Sequence, residues 1–345
     1  MEYIYYIFLL IITLFFALMG YYTSKRRIDY FSFIILMGLS IIVRQNLHSD
    51  MIVYADTIKY IHLFELLDNG LYYVKEGLFW LTSAFLCQNI FGGHVEPVFY
   101  CWDAICFIIL ISIRNRLNLP YYFLPLYFIA FSGVFTFQNV YRQFIATCIF
   151  LYALSQSLTG GRYRYTIFLF FIATLIHNSA LLFLGILPII KTKSGLNMSK
   201  YIFMILAVII ILPFVAKTDY DFNTGLNLNL LYSLLILCLG LLIIFKLKFF
   251  KNNKGLNRII IQYTLYIMLV SISSSAIMGT SLYVERISIY SLQLLIPVLC
   301  LIIEYNKSIS SKISLRFFLI FLLSIPTFVF PATLSMLENS KWLFD

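Results

Sequence analysis

Three arginines interrupt long apolar runs: Arg44 in "IIVRQNLHSD", Arg142 in "FQNVYRQFIATCIF" and Arg286 in "SLYVERISIYSLQLL". A guanidinium stays charged and presents a planar fork of donors that grips phosphate through paired hydrogen bonds. Charges set in apolar surroundings are costly and mark functional positions by default. His177, in "LIHNSALL", brings an imidazole whose ordinary pKa of about 6.5 suits proton transfer. Asp50 and Tyr54 stand four apart, as do Asp56 and Tyr60, so each pair shares one face of a helix. Together these types describe one chemistry. The arginines would form a cationic pocket that grips a phosphate, and His177 would serve as a general base. Each residue also has a plainer role. The arginines can snorkel or pair with acids such as Glu285, the tyrosines can form an interfacial belt, and a lone histidine can be a satisfied core group. Asp103, in "FYCWDAICFII", can pair with an arginine or line a cavity.

The elements that must hold these groups are membrane spans. The 345 residues are 61% hydrophobic and only 12% charged, half the charge of an ordinary soluble domain, which carries about 25%. Apolar runs near the length of one span, about 20 residues, recur from end to end. The expected fold is all-α and polytopic, with about 10–12 transmembrane helices, some re-entrant or broken. We read 1–345 as a single transmembrane domain, with 46–75 as a short amphipathic outer-face segment. The net charge of +10 does not point to nucleic acid, because its placement explains it. Eighteen of the 25 basic residues cluster between apolar runs: at 25–27, 114–116, 162–164, 191–200, 246–258 and 307–316. Short cytoplasmic loops retain Lys and Arg, so these clusters belong inside. The six cysteines lie in apolar runs without metal-ligand spacing and read as small core residues.

Keeping all six clusters inside requires two segments that do not traverse. Glu76 to Phe91 would dip back to the outer face. Tyr165 to Ile190 would begin and end inside, with a break near His177; each half would be about 12 residues, or about 18 Å, against a hydrocarbon core of about 30 Å. A rival with twelve full spans moves Arg114, Arg116, Arg162 and Arg164 outside and separates the charges less well. On the preferred topology Arg44, Arg142 and Arg286 all enter the membrane from the outer side. A membrane-embedded cationic pocket of this kind suits a lipid pyrophosphate.

No phosphate-binding glycine loop, dinucleotide fingerprint, HExxH or paired CxxC occurs, so neither a cofactor nor a metal is expected. The order of motifs does resemble a known family. Arg44, the polar stretch with Asp50 and Tyr54, "EGLF" from Glu76, "NVYRQFIA" with Asn139, Arg142, Gln143 and Ala146, and "LIHNSALL" with His177, Ser179 and Ala180 are similar to the EpsG-like branch of the Wzy-type polysaccharide polymerases. The family pattern carries Gly-x before the aspartate, a proline after the glutamate and a phenylalanine before the histidine; here His48-Ser49, Gly77 and Ile176 stand instead. Arg286 is the counterpart of a late family arginine.

The resemblance implies a glycosyltransferase of the bacterial cytoplasmic membrane, with its site facing the periplasm or exterior. It would join oligosaccharide repeat units carried on undecaprenyl pyrophosphate into O-antigen, capsule or exopolysaccharide, without a nucleotide sugar. The site residues it implies are His177 and Asp50 for proton transfer, with Arg44, Arg142, Arg286, Gln143, Tyr54 and Glu76 binding pyrophosphate or sugar. The expected partners are the lipid-linked oligosaccharide, membrane lipids and a chain-length regulator protein. Two other functions share the outer cationic site: a flippase of lipid-linked oligosaccharide, and a membrane glycosyltransferase using a lipid-phosphate sugar. A flippase would show duplicated halves or paired discontinuous helices. The glycosyltransferase would show acidic pairs in the first outer loop, as Asp50 and Asp56 do.

Overall fold

A computed structural model describes residues 2–19, 25–47, 49–61, 76–191, 197, 199–202, 206, 228–249, 254–278, 282–305, 308–329 and 341–342. Residues 62–75 of the expected outer segment lie outside the described residues. In chain order the helices are α1 Glu2–Met19, α2 Lys25–Gln45, α3 Ser49–Tyr60, α4 Gly77–Phe85, α5 Glu96–Leu117, α6 Phe123–Ile129, α7 Phe131–Gln138, α8 Tyr141–Leu158, α9 Tyr163–Ile176, α10 Ile186–Lys191, α11 Leu228–Phe249, α12 Lys254–Met278, α13 Leu282–Glu304 and α14 Ile309–Val329. One two-residue strand pair, Asn46–Leu47 against Lys341–Trp342, ties the α2–α3 junction to the far end of the chain.

Four described helices are long and apolar enough to cross a membrane: Glu96–Leu117, Leu256–Ala276, Val284–Glu304 and Ile309–Val329; Ile4–Met19, Tyr163–Ile176 and Tyr232–Leu247 are shorter apolar helices. Large apolar side chains also face outward, among them Ile34, Phe168, Phe171 and Phe318. A water-facing surface would not carry them, whereas lipid accommodates them. The protein is an all-α polytopic membrane protein. Among the cysteines, Cys87, Cys106, Cys148 and Cys300 are buried and all six are free thiols.

Packing contacts fix how the helices run. Helices α2 and α5 are antiparallel: Arg114 near the end of α5 meets Asp29 near the start of α2 at 2.8 Å, while Arg44 at the end of α2 meets Asp103 near the start of α5. Helix α8 is parallel to α5, with Tyr141 beside Asp103 and Tyr152 beside Arg116. Helix α13 follows the same direction, since Gln143 hydrogen-bonds the Arg286 carbonyl. Helices α12 and α14 run the other way, the first through Ser271–Ser288 and Tyr263–Leu294, the second through Arg316–Glu304. The cationic stretches at Arg114, Arg162 and Arg316 therefore share one end of the bundle, and the starts of α5, α8 and α13 share the other.

Two short segments follow from local chemistry. Helix α4 spans 9 residues and continues as one π-helical turn, Leu86–Ile90. Phe79 packs on Trp102, and Trp102 donates to Ser83, so the segment runs back toward the start of α5. Helix α5 itself begins with Pro97 in its first turn and stops at Asn118 in the left-handed conformation, the N-terminal proline and αL cap that helices favour. Helix α9 has 14 residues, about 21 Å of rise against a core of about 30 Å. It breaks at His177, whose backbone is extended, and the chain continues as a 3₁₀ turn over Asn178–Phe183 and returns through α10. Lys191 at the end of α10 stands 5.2 Å from the ring of Tyr163 at the start of α9. The segment is thus a hairpin that enters and leaves at the basic end, with its tip at the other.

Candidate functional site

The hairpin tip, the start of α4, the first turns of α8 and α13, and one face of α3 meet at the end of the bundle away from the basic stretches. Arg142 is the second residue of α8 and Arg286 the fifth of α13. Both helix N-termini add positive potential there. Arg142 is ion-paired to Glu76, the residue that precedes α4, and its guanidinium lies 5.2 Å from the Tyr54 ring and 4.9 Å from the Trp80 ring. The side chain is 7% exposed, and its buried Nε has no hydrogen-bond partner among the described residues. Arg142 thus packs against two neighbouring aromatic rings and is only partly satisfied by protein acceptors.

Glu76 is equally enclosed. Its second oxygen accepts the Asn178 backbone N–H at 3.3 Å and stands 3.7 Å from His177 Nε2. On the opposite edge of the imidazole, Nδ1 accepts the Ser179 backbone N–H at 3.3 Å, with Ser179 Oγ at 2.6 Å. This caps an otherwise orphan N–H where α9 breaks. A ring nitrogen that accepts an N–H carries no proton, so in the neutral ring the proton sits on Nε2 and faces Glu76. His177 has one edge committed to the fold and one to the site.

Arg286 joins through Gln143. The Gln143 amide nitrogen donates to the Arg286 carbonyl at 2.7 Å. A carbonyl only accepts, which fixes the amide orientation and leaves Gln143 Oε1 buried without a partner. The Arg286 guanidinium makes no hydrogen bond or ion pair with a described residue, Glu285 included, and lies within electrostatic range of His177, as Arg142 does. Gln138 Oε1 and Asn139 Oδ1, just before α8, are also buried and unpaired. Such amide oxygens can accept hydrogen bonds from sugar hydroxyls.

Arg44 occupies a separate place. It is 1% exposed, and its Nε and Nη2 hold Asp103 at 2.9 and 3.0 Å while Nη1 donates to the Phe137 carbonyl at 3.0 Å. Ser40 and Tyr141 each donate to Asp103 at 2.6 Å, and the Phe137 and Tyr141 rings pack on the guanidinium at 4.1 and 4.4 Å. Asp103 therefore pairs with an arginine, and Arg44 faces that pair rather than the cluster around Arg142. Asp50 lies in the first turn of α3, one turn before Tyr54; its side chain is outside what is described.

The structure brings together Glu76, Arg142, His177, Tyr54, Gln143 and Arg286. Trp80, which sequence reasoning missed, stands one helical turn after Glu76, and that i, i+4 spacing was the available signal. Among the described residues no group of three His, Cys, Asp or Glu is placed to hold a metal. Compared with known proteins, the chain matches the sequence model of the EpsG family over residues 49–343. No curated protein and no solved structure matches it.

Proposed function

We propose, from the premise that this chain belongs to the EpsG family, a family of polysaccharide polymerases, that it joins lipid-linked oligosaccharide repeat units at the outer face of the bacterial cytoplasmic membrane. The donor is a growing chain on undecaprenyl pyrophosphate, and the acceptor is a hydroxyl at the sugar end of a second lipid-linked unit. The leaving group is an isoprenyl diphosphate. Arg142 and Arg286 meet its developing charge, the kind of preorganised stabilisation that contributes most to many transfers. The unpaired amide oxygens near Arg142 and the rings of Tyr54 and Trp80 suit sugar hydroxyls and sugar faces. His177 and Asp50 are the two sequence candidates for the acceptor's proton, and His177 is the one in contact with Arg142's partner.

One observation carries this reading. Arg142 is almost fully buried, packed against two aromatic rings and left with an unpaired Nε, beside a second arginine that makes no hydrogen bond or ion pair with a described residue. Unmatched guanidinium capacity in a low-dielectric setting is a site for a polyanion.

The test is elongation in vitro. Purified protein with lipid-linked repeat units lengthens chains without added nucleotide. Arg286→Ala leaves the protein expressed and monodisperse, Arg142→Ala strands the buried Glu76 and lowers the folded yield, and both lower elongation per folded molecule by at least about 10²-fold, the typical cost of removing one preorganised charge-stabilising donor. Normal chains from both variants would sink the diphosphate site. Movement of lipid-linked units across vesicles without elongation would point to a flippase.

A further inference from the structure

Glu76 stands in the cluster without a role in that scheme. Its carboxylate occupies the Arg142 guanidinium from the side not taken by Tyr54 and Trp80. A carboxylate and a phosphate offer that fork the same two-oxygen geometry, so a diphosphate must compete with Glu76 for Arg142. Displacement would not leave Glu76 stranded, because the Asn178 N–H holds its other oxygen, with His177 Nε2 3.7 Å away. His177, meanwhile, has no lone pair to offer while Ser179 occupies Nδ1 and the proton sits on Nε2. In this arrangement the carboxylate is the group in contact with Arg142 that can receive a proton.

We propose that Glu76 is a resident stand-in for the diphosphate, and that substrate binding converts it into the proton acceptor. The inference rests on the polymerase reading and assigns roles within the same site. In the resting protein Arg142 and Glu76 neutralise each other, which keeps a buried charge from standing alone. When the lipid diphosphate takes Arg142, the freed carboxylate faces the acceptor sugar, held by the Asn178 N–H beside His177. The acceptor O–H bond then breaks, with its proton passing to Glu76. The hydroxyl oxygen bonds to the donor's anomeric carbon, and the anomeric carbon–oxygen bond to the diphosphate breaks. That electron pair leaves on the diphosphate, where Arg142 and Arg286 meet it. Glu76 returns its proton to solvent and re-pairs with Arg142 as the product lipid leaves. His177 is a positioning residue in this scheme.

The experiment measures binding and turnover separately on the purified full-length protein. Binding is read with farnesyl diphosphate and with inorganic pyrophosphate, turnover with lipid-linked repeat units. Glu76→Gln keeps the shape and removes the competing charge. It is expected to bind farnesyl diphosphate about tenfold more tightly, equivalent to the roughly 1.4 kcal/mol of one charge-assisted hydrogen bond, while elongation is lost. A merely structural glutamate would weaken both. Arg142→Ala is the control on the underlying reading: unchanged diphosphate affinity there sinks the diphosphate site itself. Weaker binding by Arg142→Ala without tighter binding by Glu76→Gln overturns the stand-in, and sustained elongation by Glu76→Gln overturns the proton role. A readout on the unmutated protein covers the case of a misfolded variant. Pyrophosphate should produce a carboxylate band in the infrared difference spectrum that Arg142→Ala abolishes, and a spectrum without that band overturns the proposal.

Discussion

Asp103 and Glu76 each hold one arginine, yet the two pairs differ in how completely they close. Around Asp103, Arg44 donates twice and Ser40 and Tyr141 once each, while the third nitrogen of Arg44 reaches the Phe137 carbonyl. Little hydrogen-bonding capacity is left for a ligand, so the pair fastens α2, α5, α7 and α8 together. Removing one member of a buried pair costs about 3–5 kcal/mol, because the survivor's charge is left uncompensated. Asp103→Asn is therefore expected to lower the thermal unfolding midpoint in detergent sharply and to reduce membrane yield. Arg286→Ala, which breaks no ion pair with a described residue, leaves the midpoint unchanged. Tryptophan-fluorescence melts of the two variants check this, and an Asp103→Asn protein that melts like the parent would show that the pair does not hold the bundle. The sequence marked both arginines as unusual but could not say which one was sealed. Asp103 is 59 residues from Arg44 and Glu76 is 66 from Arg142, and no local spacing encodes a partner at that range.

At the scale of elements, the hairpin 163–191 carries His177 to the site, and its expected shape follows from charge placement. With the basic clusters at 162–164 and 191–200 kept on one side, the run between them must turn back, and halves of about 12 residues are too short to span. The detail that fixes the returning arm was not legible. Gly185 lies against Tyr266 of α12, and the Tyr266 hydroxyl donates to the Leu182 carbonyl at 2.5 Å. A Cβ at position 185 would lie 2.5 Å from that hydroxyl oxygen and 2.7 Å from the ring carbon bearing it. Tyr266 is fully buried and cannot swing aside. Overpacking of this kind costs about 1–3 kcal/mol, and here the relief is a shift of the arm that positions His177 and Asn178. Gly185→Ala is expected to melt several degrees lower and to lose elongation well beyond its loss of folded protein. Comparing rate per folded molecule with the melting curve separates the two effects, and a variant with a lower midpoint but undiminished rate would make the hairpin a bystander.

Across the whole molecule, charge sorts the two ends. The two acids that fall among the inner clusters, Asp29 and Glu304, each pair with an arginine of those clusters, Arg114 and Arg316. Arg316 further donates to the Ala17 carbonyl at the end of α1. The basic end is thus knitted by its own ion pairs, while the end holding Glu76, Arg142, His177 and Arg286 keeps guanidinium capacity spare. If basic loops stay in the cytoplasm, the spare capacity opens outward, the side the proposed polymerase reaction requires. Helix α5 links the two ends: its 22 residues rise about 33 Å at 1.5 Å each, enough for a core of about 30 Å, with exposed His94 just before it and exposed Asn115 near its far end. Tyr163, at the base of the hairpin, belongs with Asn115. Single cysteines at these three positions, placed in a cysteine-free background, should therefore divide. In intact cells a membrane-impermeant maleimide labels His94→Cys and spares Asn115→Cys and Tyr163→Cys, which react only after permeabilisation. Labelling of Tyr163→Cys from outside would turn the hairpin over, put the arginine–histidine cluster on the cytoplasmic side, and remove the ground for a polymerase acting on units already carried across the membrane.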